Sequence, residues 1–279
     1  PIHFDTNAQS IPGKEYNAAA NLVLDRWGAP PFGTLASTNA SLSTLINFGG
    51  PEEARWLTFH QIGNWREHDN YWQLTEIFRQ PKPMPALNGE PYYAGLILGK
   101  QLSAPGGSPE DDLYCRSGMY GSFLSGGFAG HIYGAQGMWG ADVEDAAPVK
   151  MWEPLAWKSG DQMRHLSAFA LSSGTRYRDL EPDADLVTPN KTHQTKAYTG
   201  WAYCARTRDK GFFLVYFEKD CPQGVVRGAL TGRSYRARWF DPRTGEWIGA
   251  GSLRADPHAR ITLPKAPSEE DWALSLILE

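Results

Sequence analysis

Two carboxylates stand where this chain could do chemistry. Glu90 lies in Leu87-Asn88-Gly89-Glu90-Pro91-Tyr92-Tyr93, directly after a strand-like run, Met84–Asn88. A carboxylate at the C-terminal end of a strand, beside aromatic neighbours such as Tyr92, suits attack on an anomeric carbon and a covalent glycosyl intermediate. The same run also reads as a surface Glu in a Gly/Pro turn, because short motifs have many chance matches. Asp5, in His3-Phe4-Asp5-Thr6-Asn7, closes the first strand-like run. It could protonate a leaving oxygen and then activate water, or simply open a turn. Glu15 competes for that role from the helix side.

Polar and aromatic side chains gather at other strand ends. Phe128-Ala129-Gly130-His131-Ile132-Tyr133-Gly134 leads into Gln136 and Trp139, and small residues there let His131 and Tyr133 line a cavity that Trp139 could floor. His131 reads equally well as a buried structural histidine. His60, Gln61, Asn64 and Trp65 follow another strand-like run. The expected sugar contacts are therefore His60, Trp65, Tyr92, His131, Tyr133 and Trp139. Seven histidines show no HExxH or paired metal-ligand spacing, so no catalytic metal is expected. There is no GxSxG, P-loop or dinucleotide fingerprint, and no cofactor is expected.

The elements that must hold these residues read as strand–helix repetition about five times over, the grammar of an α/β fold with parallel strands. Apolar positions Tyr16, Ala19, Ala20, Val23 and Trp27 recur at helical spacing up to Gly28. Strands are expected at Pro1–Thr6, Phe32–Ser37, Arg55–Ile62, Met84–Asn88 and Phe128–Tyr133. Helices are expected through Tyr71, Leu74 and Phe78, from Asp111-Asp112 to Gly126-Gly127, and from Ser159, with Gln162 in capping-box spacing, to Gly174. A (β/α)8 barrel needs roughly 250 residues, so residues 1–174 are read as the C-terminal portion of one, a partial (β/α)8 TIM barrel lacking about three units. Residues 175–194 read as a linker. Residues 195–279 change to short β runs, with a hairpin at Asp241-Pro242-Arg243-Thr244-Gly245 between Trp239 and Trp247. They are expected to form an antiparallel β-sandwich.

Composition narrows the partners. Net charge is −4, from 27 basic and 31 acidic residues with no basic run, which argues against nucleic acid. No stretch approaches 18 apolar residues, so no membrane span is expected. The 11 Trp, 12 Tyr and 12 Phe lean towards carbohydrate, whose C–H faces stack on flat rings, or towards a large aromatic core. Cys115, Cys204 and Cys221 are too few for a disulfide scaffold; Cys204 and Cys221 could pair across strands or stay free. The first residue is not Met, so the chain reads as a fragment, with secretion or a periplasmic location expected.

The runs Pro85–Tyr93, Gly127–Gly134 with Trp139, and Trp239–Gly245 together resemble the apiosidase-like glycoside hydrolases, glycoside hydrolase family 140, with their C-terminal collagen-binding-type β-domain. The resemblance covers nearly the whole chain in matching order. It implies a retaining hydrolase on plant or algal polysaccharide side chains, with Glu90 as nucleophile after strand seven and Asp5 as acid/base after strand four. The family's Gly-Gly-Asp reads His3-Phe4-Asp5 here, and its Glu-Pro-x-Tyr-Glu reads Glu90-Pro91-Tyr92-Tyr93-Ala94. The competing expectation is a non-catalytic carbohydrate-binding protein on a degenerate barrel.

Overall fold

In the computed structural model, residues 2–6, 12–40, 42–63, 68–97, 102–192 and 198–279 are described, with backbone alone for 2–6, 40 and 69. The N-terminal part runs β1 (Ile2–Thr6), α1 (Gly13–Trp27), β2 (Ala36–Ala40), α2 (Thr44–Phe48), β3 (His60–Ile62), α3 (Trp72–Phe78), β4 (Ala86–Asn88), α4 (Pro109–Leu124) and α5 (Lys158–Ala170). β1 pairs with β2 and β3 with β4, both in parallel. Thr58, two residues before β3, donates its N–H to Ala36 at the start of β2 across 2.9 Å. Beyond β4, single parallel bridges join Asn88 to His131 and Ala94 to Ala135. Parallel strands alternate with helices in chain order, as expected, but the strands are shorter.

Local chemistry explains the shifts. The segment expected as a strand at Phe32–Ser37 opens with a 3-10 turn, Pro31–Gly33, in which exposed Phe32 takes φ +62°. The strand therefore starts at Ala36. α4 begins at Pro109, where proline's missing N–H costs nothing, and Ser108 caps it by accepting from Asp111 N at 3.2 Å. In α5 the capping-box reading is corrected. Ser159 lies inside the helix and its hydroxyl meets Tyr133 instead, while Gln162 accepts from Arg116.

The C-terminal part supplies β5 (Leu180–Pro182), β6 (Val187–Thr188), β7 (Ala202–Thr207), β8 (Phe212–Phe217), β9 (Val225–Arg227), β10 (Ser234–Phe240), β11 (Trp247–Arg254), β12 (Arg260–Thr262) and β13 (Trp272–Leu278). Six strands form an antiparallel sheet in the order β11-β10-β13-β8-β7-β5, and three form another, β12-β9-β6. The expected linker is corrected: Leu180–Pro182 and Val187–Thr188 are sheet strands. Cys115, Cys204 and Cys221 are free thiols.

The six-stranded sheet is covered on both faces. In β8, Phe213, Val215 and Phe217 join a core shared with the three-stranded sheet, while Phe212, Leu214 and Tyr216 join the core under α4 and α5. A strand buried on both sides has no reason to alternate with polar residues, and Phe-Phe-Leu-Val-Tyr-Phe does not. Tyr120 of α4 stacks on Tyr216 at 4.9 Å, and Phe169 of α5 on Phe240 at 5.5 Å.

Ion pairs seal that junction. Arg116 of α4 holds Asp271 through two bonds of 2.9 and 2.8 Å, and Tyr216 donates to the same carboxylate. The 241–245 hairpin docks beside them. Gly245, at φ +79°, leaves room for the His165 ring, which bonds Pro242 O at 3.1 Å.

Candidate active site

Strand parity decides which side chains share a surface, because successive residues point to opposite faces. In β2, Thr38 bonds Tyr16 of α1 and so faces the helices. Asn39, next along, faces the other way, and its Nδ2 donates to Glu90 Oε2 across 2.6 Å. Glu90 is half-buried just past β4. Asp5 is the register partner of Asn39 on β1. The structure thus links the strand end carrying Glu90 to the register level of Asp5 through one carboxamide.

β3 follows the same rule. His60 and Ile62 face the helices: His60 Nδ1 lies 2.8 Å from Thr44 Oγ1 of α2, and Ile62 packs in the core with Leu74 and Ile77. Gln61 therefore shares the opposite face with its register partner Leu87. It is 4 % exposed, and its side chain occupies the place a Cβ would take on Gly89, the residue before Glu90.

Four of the expected sugar contacts are engaged by protein groups in the structure. Burial pushes the His60 pKa down to about 4, which keeps the ring neutral against Thr44. His131 turns towards α4, with Nδ1 3.3 Å from Ser122 Oγ, and burial takes its pKa down to about 3. Tyr133, two residues on and therefore on the same face, meets Ser159 of α5 at 3.1 Å, and burial pushes its phenol up to about 12. Tyr92 is buried; its hydroxyl donates to Asp111 Oδ1 at 2.7 Å and accepts from Ala104 N, and burial raises its pKa. His60, His131 and Tyr133 turn to the helix side, a choice between two faces that only strand pairing reveals.

Trp139 keeps an open ring, 67 % exposed. It sits beyond the Ala94–Ala135 bridge, in a loop tied back by Met151 N to Asp142 O at 2.9 Å. Trp152 in the same loop is also exposed, and sequence reasoning did not single it out. Trp65 lies outside the described residues. Among the described residues no group of three or more His, Cys, Asp or Glu is placed to hold a metal ion. No helix among them is long and apolar enough to cross a membrane.

Parallel strands with a carboxylate at one strand end, fused to a large antiparallel sheet, form a glycoside hydrolase-like fold. The chain is similar to a solved "Glycoside hydrolase" at TM-score 0.72 and 18% identity, covering 94% of this chain and 61% of that one. It is also similar to a glycoside hydrolase family 5 structure from Bacteroides vulgatus ATCC 8482 at TM-score 0.73 and 17% identity, covering 94% and 59%. It thus spans less than two thirds of either. Residues 15–175, more than half the chain, match the family model "Apiosidase-like, catalytic domain". The chain belongs to the apiosidase-like family. Residues 182–278 match "Putative collagen-binding domain of a collagenase". No curated protein matches the chain.

Proposed function

We propose that this chain carries the catalytic centre of a retaining glycoside hydrolase acting on plant or algal polysaccharide side chains. Its parallel strands are read as the last five of a (β/α)8 barrel, with β1 as the fourth and β4 as the seventh. Barrel enzymes work at the C-terminal ends of their strands, which is where Asp5 and Glu90 fall.

Glu90 attacks the anomeric carbon while Asp5 gives its proton to the departing oxygen. The resulting glycosyl ester is cleaved by a water that Asp5 deprotonates, so Glu90 is released and the configuration is retained. Such a pair works at about 5–5.5 Å between carboxyl groups. Asn39 orients Glu90, and Trp139 offers a flat ring to a sugar face. The antiparallel sheet braces the helices behind the site.

The observation that carries this reading is the Asn39–Glu90 bond at the register level of Asp5. The test is Glu90→Gln, assayed on aryl glycosides and on pectic or algal oligosaccharides. Turnover should vanish while folding persists. Undiminished turnover refutes the role, and sugar affinity without hydrolysis in the unaltered protein favours a binding protein instead.

A further inference from the structure

We infer that Gln61 is a positioning residue for Glu90, acting through the glycine between them in space. The inference rests on the catalytic reading of Glu90 given above. Gly89 donates its N–H to Ile62 O at 2.8 Å, which ties the turn after β4 to the end of β3. The Gln61 side chain, one residue before Ile62, lies directly over the Cα of Gly89. A methyl group at Gly89 would overlap Gln61 Oε1 and come within 3.0 Å of its Cδ.

Gly89 does not have a left-handed backbone, so alanine would cost no conformational strain there. Among the described residues, it is the side chain of Gln61 that stands where a methyl group would go. Because Gln61 is buried, its amide has little space to swing aside. The carboxamide is a shelf that sets the height of the turn, and that height brings Glu90 Oε2 to 2.6 Å from Asn39. Two carboxamides from neighbouring strands thus fix one carboxylate: Asn39 by donating to it, Gln61 by supporting the backbone that carries it. A displacement of about 1 Å at a reacting group can cost roughly 100-fold in rate.

The test is a mutant cycle in the intact protein, read on whichever of a panel of 4-nitrophenyl glycosides the unaltered protein turns over. Gln61→Ala should lower kcat about 10- to 100-fold with little change in KM, because a buried side chain that acts through the backbone alters positioning and not binding. Gly89→Ala should lower kcat similarly. The double variant should recover much of that loss, because the methyl group added at position 89 fills the space Gln61 vacates. Unchanged kcat in Gln61→Ala overturns the inference, and so does a rise in KM alone or a double variant whose loss is the product of the two singles. Should Gly89→Ala not fold, the kcat-against-KM split of Gln61→Ala decides alone. Glu90→Gln is run alongside. Activity there removes the catalytic reading and this inference with it, whereas an inactive Glu90→Gln beside a fully active Gln61→Ala removes only this inference.

Discussion

Arg116 and Asp271, 155 residues apart in sequence, meet as a buried two-point ion pair between the helices and the six-stranded sheet. Asp271 also accepts from Tyr216, and Arg243 holds its backbone oxygen at 3.1 Å. Removing one partner of such a pair strands a charge without water. Arg116→Met should therefore lower the unfolding free energy by about 3–5 kcal/mol, measured by urea denaturation. Arg55→Met, which breaks the exposed Arg55–Asp25 pair, should leave the midpoint unmoved. Equal effects would mean that the two parts are not held as described.

Asn39 donates its side-chain amide to Glu90. Asn39→Ala should cost about 10- to 100-fold in kcat with the fold intact, as loss of a preorganised donor does. A wild-type kcat would show that Glu90 needs no such orientation.

Trp139 is exposed in a loop, whereas the Tyr133 hydroxyl is engaged by Ser159. Tyr133→Phe removes only a hydroxyl engaged with Ser159 and should leave KM as it was. Trp139→Ala should raise KM roughly 2- to 10-fold, the worth of one ring contact. The reverse pattern in steady-state kinetics would put Tyr133, not Trp139, in the sugar site.

His60 and His131 are held neutral, at about 4 and about 3. An unfolded histidine titrates near 6.5. Their contribution to stability is therefore complete above about 6.5 and is lost as pH falls towards the folded values, at about 1.4 kcal/mol per pH unit for each ring. Burial raises the Glu218 carboxyl, which favours the fold at low pH and works against this trend. The difference between proteins isolates one ring: His131→Gln should flatten the slope of unfolding free energy between pH 6.5 and 4 by about 1.4 kcal/mol per unit. An unchanged slope would place His131 in water.

Much of this architecture is legible in the residues. The 241–245 turn announces itself through proline and glycine, and α4 through the acids of its first turn. Other features needed tertiary contacts. β3 is three residues long, too short for a period, so nothing local says that His60 faces the helices and Gln61 faces Glu90's side. Leu180–Pro182 and Val187–Thr188 are brief and lie in a polar, proline-bearing stretch; they become strands by pairing with β7 and β9. Glu90 stood out by its place after a strand. Asn39 did not, because a lone Asn in a strand signals nothing until its partner is seen.

The most direct measurement replaces Glu90 with Ala and supplies azide with an activated aryl glycoside. With the nucleophile gone, azide attacks the anomeric carbon itself, so NMR of the glycosyl azide should show inverted configuration and activity rising with azide. Full activity without azide, or an azide product of retained configuration, would contradict Glu90 as the nucleophile.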